Sequence, residues 1–398
     1  MPNGPNDIAT FSSSADINTL PTIDSPIELD SLVFSAGCPE FFTIEIDGPL
    51  TISGAGMINN SGTSKEIFVK PYPAGELDFI GSAVITNCDI SAVSRAIRFF
   101  DTSSAGNAFF LADSNVGGTG LIEFNDNSDG ANTTIFLEAS AQTVSPPILS
   151  IYNHQAPGMS IGSIAGGGFV LLGDENGPST GRRLTVGSLN VNTTYQGVIQ
   201  DAGKGGSIVK VGTGAFVLSG ANLYAGATLV KAGQLVVANK SGSGTGTGRV
   251  TVSGRAVLAG TGTIAGAVTI GTGAGARSTL APSNYVARVS TLTIQSLLTI
   301  KGGSVYNPHL YLNFGGADQV RANGVVLESG ARFTFTGADQ AGVVLGSVYQ
   351  VIDNTSATPI SGTFSNLADG AILTAGSNHF QANYEGGDGN DLTLTAVP

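Results

Sequence analysis

Short apolar pairs separated by glycine-bearing turns recur along the chain, most regularly between positions 207 and 270. The two members of a pair are two positions apart, which places both side chains on one face of a β-strand. The pairs are Val209/Val211, Phe216/Leu218, Thr228/Val230 (with Thr228 the polar exception), Leu235/Val237, Val250/Val252, Val257/Ala259 and Val268/Ile270. Successive doublets of strands start at positions 209, 228, 250 and 268. A repeat of about 20 residues built from short strands and tight turns predicts a β-solenoid.

In the N-terminal half the repeat is longer, since the segment that ends at Asp101 recurs in similar form as the segment that ends at Asp126. The separation of these two residues defines the offset. Under this offset Phe99-Phe-Asp101 aligns with Phe124-Asn-Asp126, Asn107 with Asn132, and Ala83-Val-Ile85 with Ala108-Phe-Phe110 and Thr133-Thr-Ile135. Glycine and asparagine suit the corners of such coils, because those positions often need a positive φ. We therefore expect longer coils first and shorter coils later in one all-β chain.

Changes in the pattern divide the chain into three expected regions. These are an N-terminal cap with the first coils at residues 1–75, regular coils at 76–282 that include the block 206–237, and the last coils with a C-terminal cap at 283–398. The cap contains a proline-rich turn at Lys70-Pro-Tyr-Pro73, and Pro282-Ser-Asn-Tyr285 is the expected second boundary. The glycine-rich segment 242–248 is expected to be an exposed loop between coils. Residues 90–97 are the nearest helix candidate, but they lack a cap and sufficient length.

Composition and charge exclude several classes of protein. The chain has 398 residues with 57 Gly, 12% charged residues and a formal net charge of −12. The glycines have no triplet period, which excludes collagen. The absence of a basic run argues against binding to nucleic acid or to an anionic membrane surface. The longest apolar stretches have the length of a strand, so no membrane span is expected. The N-terminal residues 1–7 contain neither a basic nor an apolar export segment.

The block 206–237 resembles the autotransporter-associated β-strand repeat. That family shows the pattern G-x-L-x-K-x-G-x-G-x-L-x-L-S-G-x-N-x-Y-x-G-x-T-x-V-x-x-G-x-L, and this chain has Ser219-Gly-Ala-Asn-Leu-Tyr224 followed by Gly226, Thr228 and Gly233. The departures are mild, since Val209 and Phe216 take slots that are usually aliphatic or polar. Flanking stretches also resemble large bacterial proteins that carry this repeat, although only this block is diagnostic.

The resemblance implies a right-handed parallel β-helix passenger that is exposed outside a bacterial cell. Such passengers usually come with an N-terminal export segment and a C-terminal outer-membrane barrel or another anchor. Neither is found in this sequence, and the ending Thr395-Ala-Val-Pro398 looks cut short. We therefore expect an extracellular or cell-surface location and a chain that is a fragment of a longer protein.

Four carboxylates are the first candidates for chemistry. Asp101, Asp113, Asp126 and Asp129 would line one face if the register from Asp101 to Asp126 held, and paired acids or a calcium site would suit a polysaccharide-active enzyme. A lyase also needs a strong base, for which the nearby basic residues are Lys65, Lys70, Arg95 and Arg98. The alternative is that Asp101 and Asp126 cap equivalent turns for local hydrogen-bonding reasons.

The other candidate groups are sparse. Gly386-Gly-Asp-Gly-Asn-Asp391 partly matches a calcium-binding nonapeptide, but it occurs once and its apolar slots are one position out, so a turn before the last strand is the favoured interpretation. His154, His309 and His379 are isolated, which argues against zinc. Sugars are a candidate ligand for exposed tyrosines near turns, namely Tyr195, Tyr224, Tyr285 and Tyr306.

Two classes of function remain. The first is a non-catalytic extracellular β-helix that serves as a stalk, adhesin or matrix component. The alternative is a polysaccharide-binding or polysaccharide-cleaving protein that uses one long face, including the face from Asp101 to Asp129. A groove where acids and a base from adjacent coils meet would favour the alternative. No catalytic residue, cofactor or metal is expected, and the expected partners are an extracellular polysaccharide or another cell surface.

Overall fold

The computed structural model describes residues 2–12, 21–39, 43–63, 66–69, 75–93, 95–114, 118–139, 145–273, 277–283, 289–312, 316–336 and 343–398. The chain divides into two compact units, Met1–Ser207 (unit 1) and Ile208–Pro398 (unit 2). The described residues form β-strands and turns without an α-helix, and the helix candidate at 90–97 is divided between two strands. The all-β prediction is therefore confirmed.

Unit 1 is built from short strands, with two or three strands in each complete coil. The strands are β1 (Gly4–Phe11), β2 (Thr22–Ile23), β3 (Ile27–Phe34), β4 (Thr43–Ile46), β5 (Pro49–Asn59), β6 (Glu66–Val69), β7 (Glu76–Phe79), β8 (Val84–Thr86), β9 (Asp89–Val93), β10 (Ala96–Phe99), β11 (Phe109–Asp113), β12 (Leu121–Phe124), β13 (Thr134–Glu138), β14 (Ile148–Ser150), β15 (Gly158–Ile161), β16 (Ser163–Gly166), β17 (Phe169–Leu171), β18 (Arg183–Val186), β19 (Thr193–Tyr195) and β20 (Val198–Gln200).

These strands stack into parallel sheets, because each coil places a strand beside the equivalent strand of the next coil. The first sheet runs β1-β3-β5-β7-β10-β12-β14-β17-β20, and the second runs β2-β4-β6-β9-β11-β13-β16-β19. The pairs between β7 and β10 and between β10 and β12 are in parallel register. Unit 1 is therefore a parallel β-solenoid, as the sequence predicts.

An aromatic ladder lies in the core of three successive coils of unit 1. Phe99 is fully buried and stacks on Phe79 at a centroid distance of 5.0 Å and on Phe124 at 4.6 Å. Phe99 also pairs with Phe124 in the sheet, which confirms the predicted offset at this point. The ladder therefore follows the repeat along the solenoid axis.

The same offset is wrong for the segment Ala83–Ile85. Val84 forms a bridge with Ser104, and Asp89 is the residue that pairs with Phe109. The coil in that region is shorter than the next one, in which Phe109 pairs with Thr134. The offset from Asp101 to Asp126 therefore misplaces the segment Ala83–Ile85, which belongs to the preceding, shorter coil.

Unit 2 continues the pattern of short strands. They are β21 (Ser207–Lys210), β22 (Ala215–Leu218), β23 (Thr228–Val230), β24 (Gln234–Val237), β25 (Val250–Val252), β26 (Val257–Gly260), β27 (Thr263–Ile264), β28 (Val268–Ile270), β29 (Thr279–Ala281), β30 (Thr291–Ile294), β31 (Leu298–Ile300), β32 (Val305–Tyr306), β33 (Leu310–Tyr311), β34 (Gly316–Ala317), β35 (Gln319–Ala322), β36 (Val325–Leu327), β37 (Arg332–Phe333), β38 (Val348–Asn354), β39 (Ile372–Ala375), β40 (Asn378–Gly386) and β41 (Asp391–Val397).

Parallel stacking and an antiparallel end define unit 2. One sheet runs β21-β23-β25-β28-β31-β36 and another contains β22-β24-β26-β29-β32-β37. The last four strands pair differently, since β38 with β41, β39 with β40 and β40 with β41 are all antiparallel. This antiparallel group is the expected C-terminal cap. The predicted division at positions 75 and 282 stays a prediction, and the turn at Lys70–Pro73 lies outside the described residues.

Two of the seven apolar pairs are shifted by one position. In β21 the inward side chains are Ile208 and Lys210, and in β26 the inward residue beside Leu235 is Leu258. Lys210 is almost fully buried, and its ammonium donates to the carbonyl oxygens of Val211 at 2.6 Å and Gly212 at 3.0 Å. The other five pairs are buried as predicted.

The segment 242–248 is not the exposed loop that the sequence suggests. Ser243 and Thr245 are buried, and the segment packs on the coil before it. Asn222 donates its backbone N–H to the carbonyl oxygen of Ser243 at 2.7 Å and its side-chain amide to that of Gly244 at 2.6 Å. A glycine is needed at position 246, because a Cβ there would overlap the backbone of Tyr224. The segment is thus a corner of the solenoid.

Candidate functional site

Asp101 and Asp126 cap turns of neighbouring coils. Both have a positive φ, of 54° and 50°. The Asp101 carboxylate accepts a hydrogen bond from the backbone N–H of Gly81 at 2.9 Å, and the Asp126 carboxylate accepts one from the N–H of Asp101 at 3.1 Å. Each carboxylate therefore links its own turn to the preceding coil, which is the turn-capping role that such residues have in tight turns.

The four aspartates do not form one face. Asp113 ends β11 in the second sheet, where it pairs with Val93 and Glu138 and is 8% exposed. Asp129 is exposed and forms a bridge with Ser104 at the turn. The structure therefore brings Asp101 and Asp126 together but separates Asp113 from them.

Acids and a base from adjacent coils do meet on the outer face of the first sheet. Asp78, Arg98 and Glu123 are directly opposite one another in β7, β10 and β12. The Arg98 guanidinium donates to Asp78 at 2.8 and 3.1 Å and to Glu76 at 2.6 Å. Lys65 and Lys70 lie outside the described residues.

The electrostatics of this row favour a structural ion pair over catalysis. Hydrogen bonding to Asp78, with the charges of Asp78 and Glu76, raises the pKa of Arg98 against the opposing effect of its burial. A catalytic base needs a lowered pKa, so Arg98 is poorly suited to remove a proton. Burial raises the pKa of Glu123, but Arg98 occupies the position between Glu123 and Asp78, where a substrate bond would have to lie.

The calcium-like segment near the C-terminus forms a turn before β41. Both oxygens of the Asp391 carboxylate are occupied, one by the side-chain amide of Gln350 at 2.6 Å and the other by the N–H of Asn354 at 2.8 Å. Asp391 is 2% exposed and holds β38 against β41. Within the described ranges, no group of three or more acidic, histidine or cysteine side chains could hold a metal ion.

His154 and three of the candidate tyrosines have structural roles. Both ring nitrogens of the buried His154 lie 2.7 Å from backbone carbonyl oxygens, those of Ser128 and Gln155. Tyr195, Tyr224 and Tyr306 are completely buried, so the expectation that they offer an exposed sugar-binding surface is wrong. They fill the core between strands and turn corners. Tyr285 lies outside the described residues.

A polar cavity of about 530 Å³ opens on the surface of unit 1. It lies where the turns before β9 and β11 meet the outer face of the second sheet. Its lining is rich in side-chain amides and also contains one carboxylate and one aromatic ring. The residues that carry these groups are Asn59, Asn60, Asn87, Asn107, Asp89 and Phe109.

Stacked amides build one wall of this cavity. Asn107 donates its side-chain amide to Oδ1 of Asn87 at 2.5 Å, and the Asn107 Oδ1 accepts from the backbone N–H of Asn87 at 2.9 Å. Asn59 donates to the carbonyl oxygen of Asn87 at 2.7 Å. Asn87 has a φ of 54°, a conformation that asparagine tolerates better than most residues. The bond from Asn107 therefore sets the orientation of the Asn87 amide, with Oδ1 toward Asn107.

The second wall is an outward row of the second sheet. Asp89, Phe109 and Thr134 line the cavity and are directly opposite one another in β9, β11 and β13. Glu66 in β6 pairs with Asp89 but is not part of the lining. Phe109 is 38% exposed, although its neighbour Phe110 is fully buried. Sequence reasoning missed this site, although the recurrence of asparagine at positions 87 and 107 was its one visible sign.

Comparison with known proteins identifies one segment. Residues 208–237 match the passenger-associated-transport-repeat family, which confirms the resemblance seen in the sequence and makes this block such a repeat. Among solved structures, the chain aligns with the Hap adhesin of Haemophilus influenzae at 10% identity and a TM-score of 0.29, over 98% of this chain and 59% of the length of that protein. A comparison with curated proteins finds no match. Within the described ranges no helix is long and apolar enough to cross a membrane.

Proposed function

We propose that the chain is a non-catalytic, extracellular β-solenoid passenger of a bacterial surface protein, with the role of a stalk, adhesin or matrix component. The observation that carries the proposal is the passenger-associated repeat at 208–237. This block folds as β21 to β24, and β22 pairs with β24 in parallel register, so the repeat is part of the stacked coils.

The surface chemistry of unit 1 supports the non-catalytic part of the proposal. Arg98 is held by Asp78 and Glu76, and Asp101 caps the turn at Gly81. These charged side chains, which are the candidate acids and base of unit 1, therefore hold neighbouring coils together. A solenoid of this kind presents long surfaces suited to contact with other molecules.

Protease access on whole cells tests the proposal. In cells that make the full-length protein, a recognition sequence for a specific protease is inserted between Pro178 and Ser179, in an exposed loop. We expect protease added to intact cells to cleave this variant and to leave the unmodified protein whole. A cytoplasmic marker with the same recognition sequence reports leakage. Cleavage only after lysis would overturn the proposed location.

A further inference from the structure

We propose that the edge strand β39 of unit 2 pairs with β39 of a second copy of this chain, in an antiparallel ladder with two-fold symmetry. The inference goes beyond the proposed function, and its physical basis is the backbone of β39. Only its biological use depends on the proposed surface location, where copies of one protein are held close together.

β39 is the last strand of a seven-stranded sheet. The sheet runs β27-β30-β35-β38-β41-β40-β39, and among the described residues β39 pairs with β40 alone. Its inner neighbours β40 and β41 each pair with a strand on both sides. The outer side of β39 is therefore a sheet edge, where a further strand could bond to the backbone.

The bonds to β40 determine which backbone groups face this edge. The carbonyl oxygen of Ala371, just before β39, accepts from the N–H of Ala382 in β40 at 2.9 Å. Residues of an antiparallel strand face its two neighbours alternately, so the backbone groups of Leu373 also face β40. The N–H and C=O groups of Ile372 and Thr374 face the other way, and we call these groups the free edge. They have no hydrogen bond among the described residues.

Two other sheets that end in unit 2 carry a cap on their last strand. The side-chain amide of Asn366 accepts from the N–H of Phe333 at 2.9 Å and donates to its carbonyl oxygen at 2.8 Å, so this amide takes the place of a strand beyond β37. Beyond β36, Leu327 donates to the carbonyl oxygen of Ser361 at 2.8 Å, and Ser361 donates to that of Val325 at 2.9 Å. The free edge of β39 differs from both ends, because no described residue caps it.

The side chains around the free edge leave it open to another strand. Soluble proteins commonly block an exposed edge with a charged residue, a proline or a bulge. The segment 370–377 reads Gly-Ala-Ile-Leu-Thr-Ala-Gly-Ser, without a charged residue or a proline, and β39 pairs with β40 without a shift of register. Ile372 is 55% exposed, so an apolar side chain also lies at this edge. These features favour pairing with a further strand.

A second copy fits this edge because the edge is complementary to itself. Ile372 and Thr374 lie one position before and one position after Leu373, so a two-fold axis at Leu373 places each Ile372 opposite the partner's Thr374. Such opposed residues exchange two N–H···O=C bonds in an antiparallel ladder, which satisfies every group of the free edge. The two copies of Leu373 then form a non-hydrogen-bonded pair with Cα atoms about 4.5 Å apart.

The small size of the contact predicts a reversible dimer. β39 has only 4 residues, so the paired strands cover little surface. Interfaces below about 1,200 Å² are typical of weak or transient complexes. We therefore expect association that depends on concentration, as suits contacts between neighbouring copies on one surface.

Sedimentation of the purified chain over a wide range of concentrations tests the self-association. We expect a monomer–dimer equilibrium. Thr374→Pro removes an N–H of the free edge and keeps every backbone bond to β40, so the dissociation constant should rise by about tenfold or more. Ile372→Lys adds a charge to the edge and should weaken the dimer in the same way.

Val348→Lys is the matched control. Val348 is 56% exposed, close to the 55% of Ile372. Direct strand pairs through Thr395 and Gln381 connect the two residues in one outward row. β38, which carries Val348, pairs with both β35 and β41 and is not a sheet edge. This variant should therefore dimerise as the unmodified chain does.

Oxidative crosslinking tests the register of the two strands. Leu373→Cys should form a covalent dimer under mild oxidation, because the expected spacing fits a disulfide, whose Cα atoms lie about 4.4–6.8 Å apart. Thr374→Cys should not, because it faces the partner's Ile372. The unmodified chain, in which Cys38 and Cys88 are buried, gives the baseline.

Four results would each overturn the inference. They are a chain that stays monomeric at every concentration, association that Thr374→Pro and Ile372→Lys leave unchanged, an equal loss in Val348→Lys, and crosslinking of Thr374→Cys equal to that of Leu373→Cys. Far-UV circular dichroism shows whether each variant is folded. Since these experiments need no cells, their failure is distinct from failure of the whole-cell protease test, which concerns location alone.

Discussion

Replacement of Phe99 by alanine tests whether the aromatic ladder holds the coils of unit 1 together. Phe99 is fully buried, stacks on Phe79 and Phe124, and meets the edge of Phe110 at 5.9 Å. Truncation of a buried phenylalanine costs about 3–5 kcal/mol. Because two stacked contacts of about 0.5–1.5 kcal/mol each are lost in addition to buried area, we expect a value near the upper end of that range.

The assay is urea unfolding followed by far-UV circular dichroism, with hydrogen exchange to locate the effect. Since each coil contacts only its neighbours, exchange should accelerate first in β7, β10 and β12. Phe136→Ala removes an equally large ring from a position that is 36% exposed, so it should cost clearly less stability than Phe99→Ala. Equal effects of the two substitutions, or a loss below about 1 kcal/mol for Phe99→Ala, would refute the ladder as a stabilising element.

Three further predictions concern a glycine, a carboxyl group and a turn cap. Gly260→Ala should destabilise unit 2 strongly, because the new Cβ would overlap the backbone of Val237. At Gly203 a Cβ would meet open space, so Gly203→Ala should cost only the strain of the positive φ. Thermal unfolding of the two variants compares these costs. Burial raises the pKa of Glu123, so its ionised form is disfavoured in the folded state and the free energy of unfolding falls as the pH rises through that pKa. Glu123→Gln should therefore be more stable than the unmodified chain at pH 7 but not below about pH 4. An equal difference in stability at both pH values would contradict the raised pKa. Asp101→Ala should lower the free energy of unfolding in urea by about 1–2 kcal/mol, because the bond to Gly81 and a residue tolerant of positive φ are both lost. Asp101→Asn should cost less, and equal losses for the two variants would argue against the turn cap.

The sequence predicts the fold well because residues of the same kind occupy the same inward position in successive coils. Phe99 and Phe124 are found in register, since a ladder of like residues is both the sequence pattern and the packing solution. The pattern fails where an inward residue is not apolar. Lys210 is accommodated by carbonyl oxygens, and Gly260 is required by backbone proximity, so neither has the appearance of a core residue.

The candidate site was less accessible to sequence reasoning because it depends on coil lengths that vary. Asn87, Asn107 and Asp89 come together only because the coil between them is shorter than the neighbouring repeat suggests. The exposed aromatic of the site, Phe109, is also a strand residue beside a buried one, Phe110, and alternation alone does not tell which of the two faces outward. Pairing in the sheet decides it.

A single experiment tests the central claim that this solenoid binds at its surface and does not catalyse. The purified chain is incubated with neutral and acidic polysaccharides, with and without calcium, and each sample is scored for co-sedimentation and for new chain ends. We expect no new chain ends in any sample, with or without calcium, and any polysaccharide that co-sediments with the chain should stay intact. Cleavage of any polysaccharide that Arg98→Lys or Glu123→Gln abolishes would contradict it and would make the row on the first sheet an active site.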